Sequence, residues 1–167
     1  GPQSSGFVVG RADLVEACRL NDCPHGAVGR PAKVPKEEIV GLVKAIELYV
    51  DQDEAQQALI WDLRVARMMD TLSDLPHVQV RRQFPFGIGQ QIPHVALTWD
   101  QQALDLSYSE LLRQLRRSKP RIAVQFVNPV TDDEPGADQP EIRVHPHTLR
   151  EGEEVVVAER IRELLAG

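Results

Sequence analysis

Arg30, Lys33 and Lys36 fall within the bend Gly29-Arg30-Pro31-Ala32-Lys33-Val34-Pro35-Lys36, just ahead of the strongest helical pattern in the chain. Cations gathered there could hold a phosphate or a carboxylate, because the free N–H groups and the dipole of a helix N-terminus already favour an anion. A solvated basic turn has the same spacing. His25, on the loop before, carries the side chain whose ordinary pKa suits proton transfer near neutrality. A loop histidine with a structural or solvated role fits it equally. His145 and His147 flank Pro146 on a turn but lack the further ligands a metal site needs. Cys18 and Cys23 have no second pair and no histidine at finger spacing, which argues against zinc and against a disulfide framework. No nucleophile motif and no phosphate-cradling glycine-rich loop is present.

The elements that must position these residues follow from apolar spacing. Pro35 suits a first helical turn, Glu37 and Glu38 complement the dipole, and Ile39, Leu42, Val43, Ile46 and Val50 form one stripe, predicting a helix from about Pro35 to Val50. A second pattern with Leu59, Leu63, Ala66 and Met69 continues it as one bent helix or a pair, ended by Pro76. Upstream, Phe7 to Val9 reads as a short buried strand, Ala12 to Leu20 as one or two helical turns, and Asn21 to Gly26 as a loop. Downstream, alternation predicts strands at 78–84 and 95–99, joined by a loop with Gly87, Gly89 and Pro93. Ser107 and Glu110 have the form of a capping box opening a helix with Leu111, Leu112 and Leu115. A strand at 121–127, an exposed loop over 131–139, a strand at 141–144 and a helix over 153–165 with Val157, Ala158, Ile161 and Leu165 complete the chain. Together they give an α+β fold, a sheet covered on one face by helices.

The 167 residues, 42% of them hydrophobic, suffice for one domain of ordinary size with a real core. A formal net charge of -6 and a pI near 5.4 argue against a nucleic-acid surface, which needs a basic face. No apolar run reaches membrane-spanning length, and the cysteine usage fits a reduced, cytoplasmic setting. The chain starts at Gly1-Pro2 without a methionine, which is read either as a scar of tag cleavage or as the C-terminal part of a longer protein.

Two blocks favour the second of those readings. Gly1-Pro2-Gln3-Ser4-Ser5-Gly6 with Gly10-Arg11 resembles the segment after the Schiff-base lysine in fold-type I pyridoxal-phosphate enzymes. The branch is the aminotransferase class V-like one that contains selenocysteine synthase and D-glucosaminate-6-phosphate ammonia-lyase. The run from Gly29 to Leu42 is similar to the lyase-like members, and weaker likeness continues through Leu149–Glu154 and Ala158-Glu159-Arg160 to the C-terminus. The resemblance implies residues 1–34 as the tail of the large domain, 35–75 as a connecting helix or helix pair, and 76–167 as the small C-terminal α+β domain with a mainly antiparallel sheet.

The same resemblance implies pyridoxal 5'-phosphate as cofactor, with its lysine upstream of Gly1, so that no catalytic residue lies in this chain and the chain alone is inactive. By the same carry-over, Gln3 and Ser4 lie near the cofactor phosphate. Arg30 grips the acid group of the substrate, with Lys33, Lys36 and His25 as further substrate-binding candidates. The implied activity is that of a lyase on an amino acid or amino sugar acid, of ammonia-lyase type, in a homo-oligomer. Alternatives are a selenium transferase acting on seryl-tRNA or an aminotransferase, and, from another class, a non-catalytic partner-binding or oligomerisation module.

Overall fold

The computed structural model describes residues 1–84, 92–130 and 137–167. The chain divides into two compact units, Gly1–Asp53 and Glu54–Gly167. The expected loop residues Gly87 and Gly89, and positions 131–136 of the expected acidic loop, lie outside the described residues.

The first unit holds helix α1 (Ala12–Asn21), a single 3-10 turn at Arg30–Ala32, and helix α2 (Lys36–Val50). Asp13 in the first turn of α1 and Arg19 in its last complement the helix dipole. Pro35 sits at the N-cap of α2, so the helix begins at Lys36, one position after the expected start, and Glu37 and Glu38 occupy its first turn. The loop between the helices closes where the Gly29 N–H donates to the Asn21 carbonyl at 2.8 Å. A Cβ at Gly29 would stand 2.7 Å from that oxygen, so only glycine permits the approach. The expected buried strand at Phe7–Val9 does not form. These residues are non-repetitive and Phe7 is 65% exposed. No strand among the described residues of this unit offers an edge to pair with, and an extended segment alone has nothing to satisfy its backbone. Nor is any residue of α1 or α2 fully buried: Ile39, Val43 and Val50 of the α2 stripe are exposed.

The second unit begins with helix α3 (Glu54–Leu72), so the two long helical patterns are a pair. A four-stranded sheet follows, built from β1 (Val78–Gln83), β2 (His94–Trp99), β3 (Gln125–Val127) and β4 (Glu141–Val144) in the order β1-β2-β4-β3. Every neighbouring pair is antiparallel. Helix α4 (Tyr108–Arg117) lies between β2 and β3 in sequence, and helix α5 (Glu153–Ala166) follows a 3-10 turn at Pro146–Thr148. Strand side chains alternate between faces. Val95, Leu97 and Trp99 of β2 and Ile142 and Val144 of β4 meet the helices in one core with Val65, Met68 and Leu72 of α3, Leu111 and Leu115 of α4, and Val157, Ala158, Ile161 and Leu165 of α5. This is the α+β arrangement the sequence predicts, with helices over one face of an antiparallel sheet.

Two expectations inside this unit are corrected. The buried stripe of α3 is Val65, Met68 and Leu72, whereas the expected Leu59, Leu63 and Ala66 are exposed. The helix carries apolar residues on more than one face, and only the face over the sheet is covered. The expected strand 121–127 is ordered as strand only from Gln125. The Ile122 N–H instead donates to the Leu115 carbonyl at 3.0 Å, which draws the segment before β3 onto the end of α4. The Ser107 hydroxyl accepts from the Glu110 N–H at 3.2 Å, forming one half of the capping box. The Glu110 carboxylate turns instead to Arg113 and Gln114.

Candidate functional site

The face of the sheet away from the helices is polar. Because Ile142 and Val144 point to the core, Glu141, Arg143 and, past the strand end, His145 point the other way. Glu141 is fully buried and holds two guanidinium groups: its Oε1 accepts from Arg143 Nε at 2.7 Å and its Oε2 from Arg81 Nη2 at 2.7 Å. Arg81 belongs to β1, two strands away. The register sets Arg81 opposite Ala96 and Ala96 opposite Arg143, so only a methyl group stands where Arg81 must cross β2. Two guanidinium groups thus converge on one buried carboxylate.

His94 opens β2 on the same face, 2% exposed, with its ring 5.0 Å from that of His145. Among the described residues neither of its ring nitrogens has a well-formed hydrogen bond. Burial, reinforced by the positive neighbours His145 and Arg143, pushes its pKa down to about 4. The imidazole is therefore neutral at pH 7. His145 shares a 2.7 Å hydrogen bond with Gln125 Oε1 through Nε2, and the ring of His147 stands 5.7 Å further on. Among the described residues no group of three His, Cys, Asp or Glu side chains is placed to hold a metal ion.

Arg143, His145, His147 and Gln125, but not His94 or Glu141, border a cavity of about 470 Å³ at the end of the sheet, between β4, the Pro146–Thr148 turn, the start of α5 and the segment before β3. It opens because that segment leaves β4 for the end of α4. Arg121, Gln125, Arg143, His145 and His147 supply its polar wall. Val144, Leu149 and Val157 are among its apolar lining. Glu153, the carboxylate among the described residues of its lining, accepts from the Arg150 N–H at 2.8 Å. Arg64 of α3 fixes the turn that forms one wall, donating to the carbonyls of Pro146 at 3.1 Å and Leu149 at 2.7 Å. Beside it the buried Glu154 is bound by Arg67 at 2.8 Å. Burial opposes ionisation of Glu154, but the Arg67 hydrogen bond and the nearby Arg64 outweigh it and lower the pKa. Guanidinium and imidazole groups against an apolar wall suit the acid group of an organic molecule better than a hydrated ion.

The residues that the resemblance assigns to substrate and cofactor lie in the first unit, whereas His145 and His147, also singled out by sequence, line the cavity of the second. Arg30 starts the 3-10 turn and donates to Cys23 Sγ at 2.7 Å. Cys23 and Lys33 both line a separate cavity of about 400 Å³ with Phe7, Ile39, Leu42 and Ile46. Lys36 is the exposed first residue of α2, and His25 is exposed on the preceding loop. Gln3 and Ser4 are exposed in a turn that the Ser5 hydroxyl closes on the Pro2 carbonyl at 2.8 Å. Arg30, Cys23 and Lys33 are thus neighbours of one hollow, whereas Lys36, His25, Gln3 and Ser4 do not line it.

Over nearly its whole length this chain is similar to known proteins. It is 30% identical over 165 residues to the 5'-C-glycyluridine monooxygenase-decarboxylase of a Streptomyces species, an alignment covering 99% of this chain and 38% of that protein. Its fold is similar to that of D-glucosaminate-6-phosphate ammonia-lyase, with a TM-score of 0.60 at 22% identity over 93% of this chain and 38% of the other. The chain therefore spans well under half the length of either protein. No family model matches it.

Pyridoxal phosphate, which the sequence resemblance implies, requires a lysine amine sheltered from water for its Schiff base. The four lysines of the chain, Lys33, Lys36, Lys44 and Lys119, are all exposed. The residues present do not by themselves fit that cofactor. Sequence reasoning missed Arg81, Ala96, Glu141 and Arg143. The alternation Glu141-Ile142-Arg143-Val144-His145 marks a strand with a polar face. Nothing in it reveals that this face is buried, or that Arg81 reaches it across a strand that is remote in sequence.

Proposed function

We propose that the chain is the C-terminal part of a pyridoxal-phosphate-dependent enzyme acting on an amino acid or amino sugar acid, with ammonia elimination as its reaction. The observation that carries this reading is the cavity walled by Arg143, His145 and Arg121, with Arg143 oriented by the buried Glu141. In this reading the cofactor and its lysine belong to another part of the protein, and the described unit contributes the acid-group pocket. A guanidinium held by a buried carboxylate meets an incoming carboxylate without first having to be ordered. The shared fold with an ammonia-lyase and the likeness to an enzyme named for glycyluridine both support an amino acid joined to a sugar-like body as substrate.

Within the first unit, Arg30 and Lys33 are proposed as a separate anion-binding pair, since Cys23 links Arg30 to the hollow that Lys33 lines. A second reaction, oxygen-dependent decarboxylation of such an amino acid, is favoured by the 30% identity along 99% of the chain. The test is to supply the full-length protein and pyridoxal phosphate with D-glucosaminate and measure ammonia, carbon dioxide and oxygen uptake together. Ammonia release without oxygen uptake is expected. Oxygen uptake matched by carbon dioxide would select the second reaction, and no turnover of any amino acid or amino sugar acid would overturn both.

A further inference from the structure

We propose that the acid-group cavity continues into a second subsite, beneath the turn from Ser118 to Ile122, that reads a neutral, hydroxylated side chain of the substrate. This inference rests on the acid-group reading above. A second cavity of about 360 Å³ lies between that turn and α5, and Pro120, Ile122 and Val156 line both hollows. A carboxylate fills only a small part of the first cavity, since volumes of roughly 300–1,000 Å³ accommodate drug-sized ligands. In this proposal the rest of the molecule passes over Ile122 and Val156, which both hollows share.

The chemistry changes along that route. The first cavity sets Arg121 and Arg143 beside the imidazoles of His145 and His147, whereas the second sets Lys119 and Arg160 beside Glu159 and Glu163. Two positive and two negative groups select no net charge. They present donors next to acceptors, and a hydroxyl, which donates and accepts at once, satisfies both. Arg160 is bound to Glu163 at 2.6 Å through Nη1, while its buried Nε–H has no partner and remains a donor awaiting an acceptor. The saddle of Pro120, Ile122 and Val156 is apolar and suits the C–H face of a sugar-like chain. The turn above is fixed: Ser118 Oγ donates to the Leu115 carbonyl at 2.7 Å, and Ile122 N–H donates to the same oxygen at 3.0 Å. A groove with a fixed roof distinguishes ligands by shape as well as by hydrogen bonds.

The experiment measures dissociation constants on the full-length protein for L-serine, which offers the acid group with a minimal side chain, and for D-glucosaminate, which adds a polyhydroxylated chain. In the variant carrying Glu159→Ala and Glu163→Ala, both at exposed helix positions that tolerate truncation, D-glucosaminate is expected to bind about tenfold more weakly. That is the loss of about one net hydrogen bond to a charged group, and L-serine should be unaffected. Equal weakening of both ligands, no change for D-glucosaminate, or a wild-type protein that binds it no better than L-serine would each overturn the second subsite. Arg143→Lys separates the two readings, because unchanged binding of both ligands in that variant removes the acid-group cavity itself.

Discussion

Glu141 makes the candidate site possible, because a fully buried carboxylate is tolerable only while both Arg81 and Arg143 neutralise it. Ala96 is the quiet condition for that arrangement. Replacing it by leucine should fill the path of Arg81 across β2 and uncouple the pair, costing roughly 3–5 kcal/mol, the range for breaking a buried ion pair. Urea denaturation would show it as a lowered midpoint, whereas an unchanged midpoint would mean that Arg81 reaches Glu141 by another route. His94 sets a pH dependence. Its folded pKa of about 4 lies below the ordinary 6.5, so the unfolded chain takes up a proton first as pH falls, and stability declines between pH 6.5 and 4 by up to about 3 kcal/mol. His94→Leu should flatten the upper half of that decline, from pH 6.5 to 5, before the depressed carboxylates of Glu110 and Glu154 begin to protonate. A melting temperature that falls equally in both proteins over that range would remove His94 as the cause. At this scale the sequence showed residue types but not partners. His145 and Arg30 stand out by neighbourhood, whereas Arg81 and Glu141 become a pair only when strands distant in sequence lie in register.

Helices and strands were far more legible than contacts, and α5 shows why. Its Val157, Ala158, Ile161 and Leu165 stripe is the sole strong apolar face of that helix, and all of it is buried. In α3 the apolar residues occupy several faces, so period alone chose Leu59 and Leu63 when the sheet covers Met68 and Leu72. The distinction is measurable in this chain. Met68→Ala should cost about 2–5 kcal/mol through the cavity it leaves, while Leu63→Ala, at 57% exposure, should stay within about 0.5 kcal/mol. Comparable losses at the two positions would contradict the assigned face. The early departure of the strand before β3 was equally hidden, because alternation from Arg121 to Val127 continues past the point where Ile122 bonds the end of α4. That departure is what opens the cavity. The Arg64 clip on the Pro146–Thr148 turn was invisible for the same reason, being a contact across more than eighty positions.

At the scale of the whole molecule, the two units differ in what holds them. Glu54–Gly167 encloses a continuous core, whereas Gly1–Asp53 has no fully buried residue and exposes Phe7, Val8, Val9, Leu14 and Val43. Helices without a buried face draw little stability from tertiary packing. Amide hydrogen exchange on this chain should therefore run markedly faster in α1 and α2 than in β2, β4 and α5, and equal protection would show that the first unit has a core of its own. The negative overall charge sits beside a cavity that Arg121 and Arg143 both line, a juxtaposition that composition averages away and only the fold displays. The most direct test of that cavity is calorimetric titration of the full-length protein with D-glucosaminate, comparing wild type with Arg143→Lys. Lysine keeps a charge for Glu141 but lacks the planar fork that matches a carboxylate. The account predicts at least about tenfold weaker binding, the scale of a charged hydrogen bond, with the melting temperature nearly unchanged; equal affinity in the two proteins would contradict it.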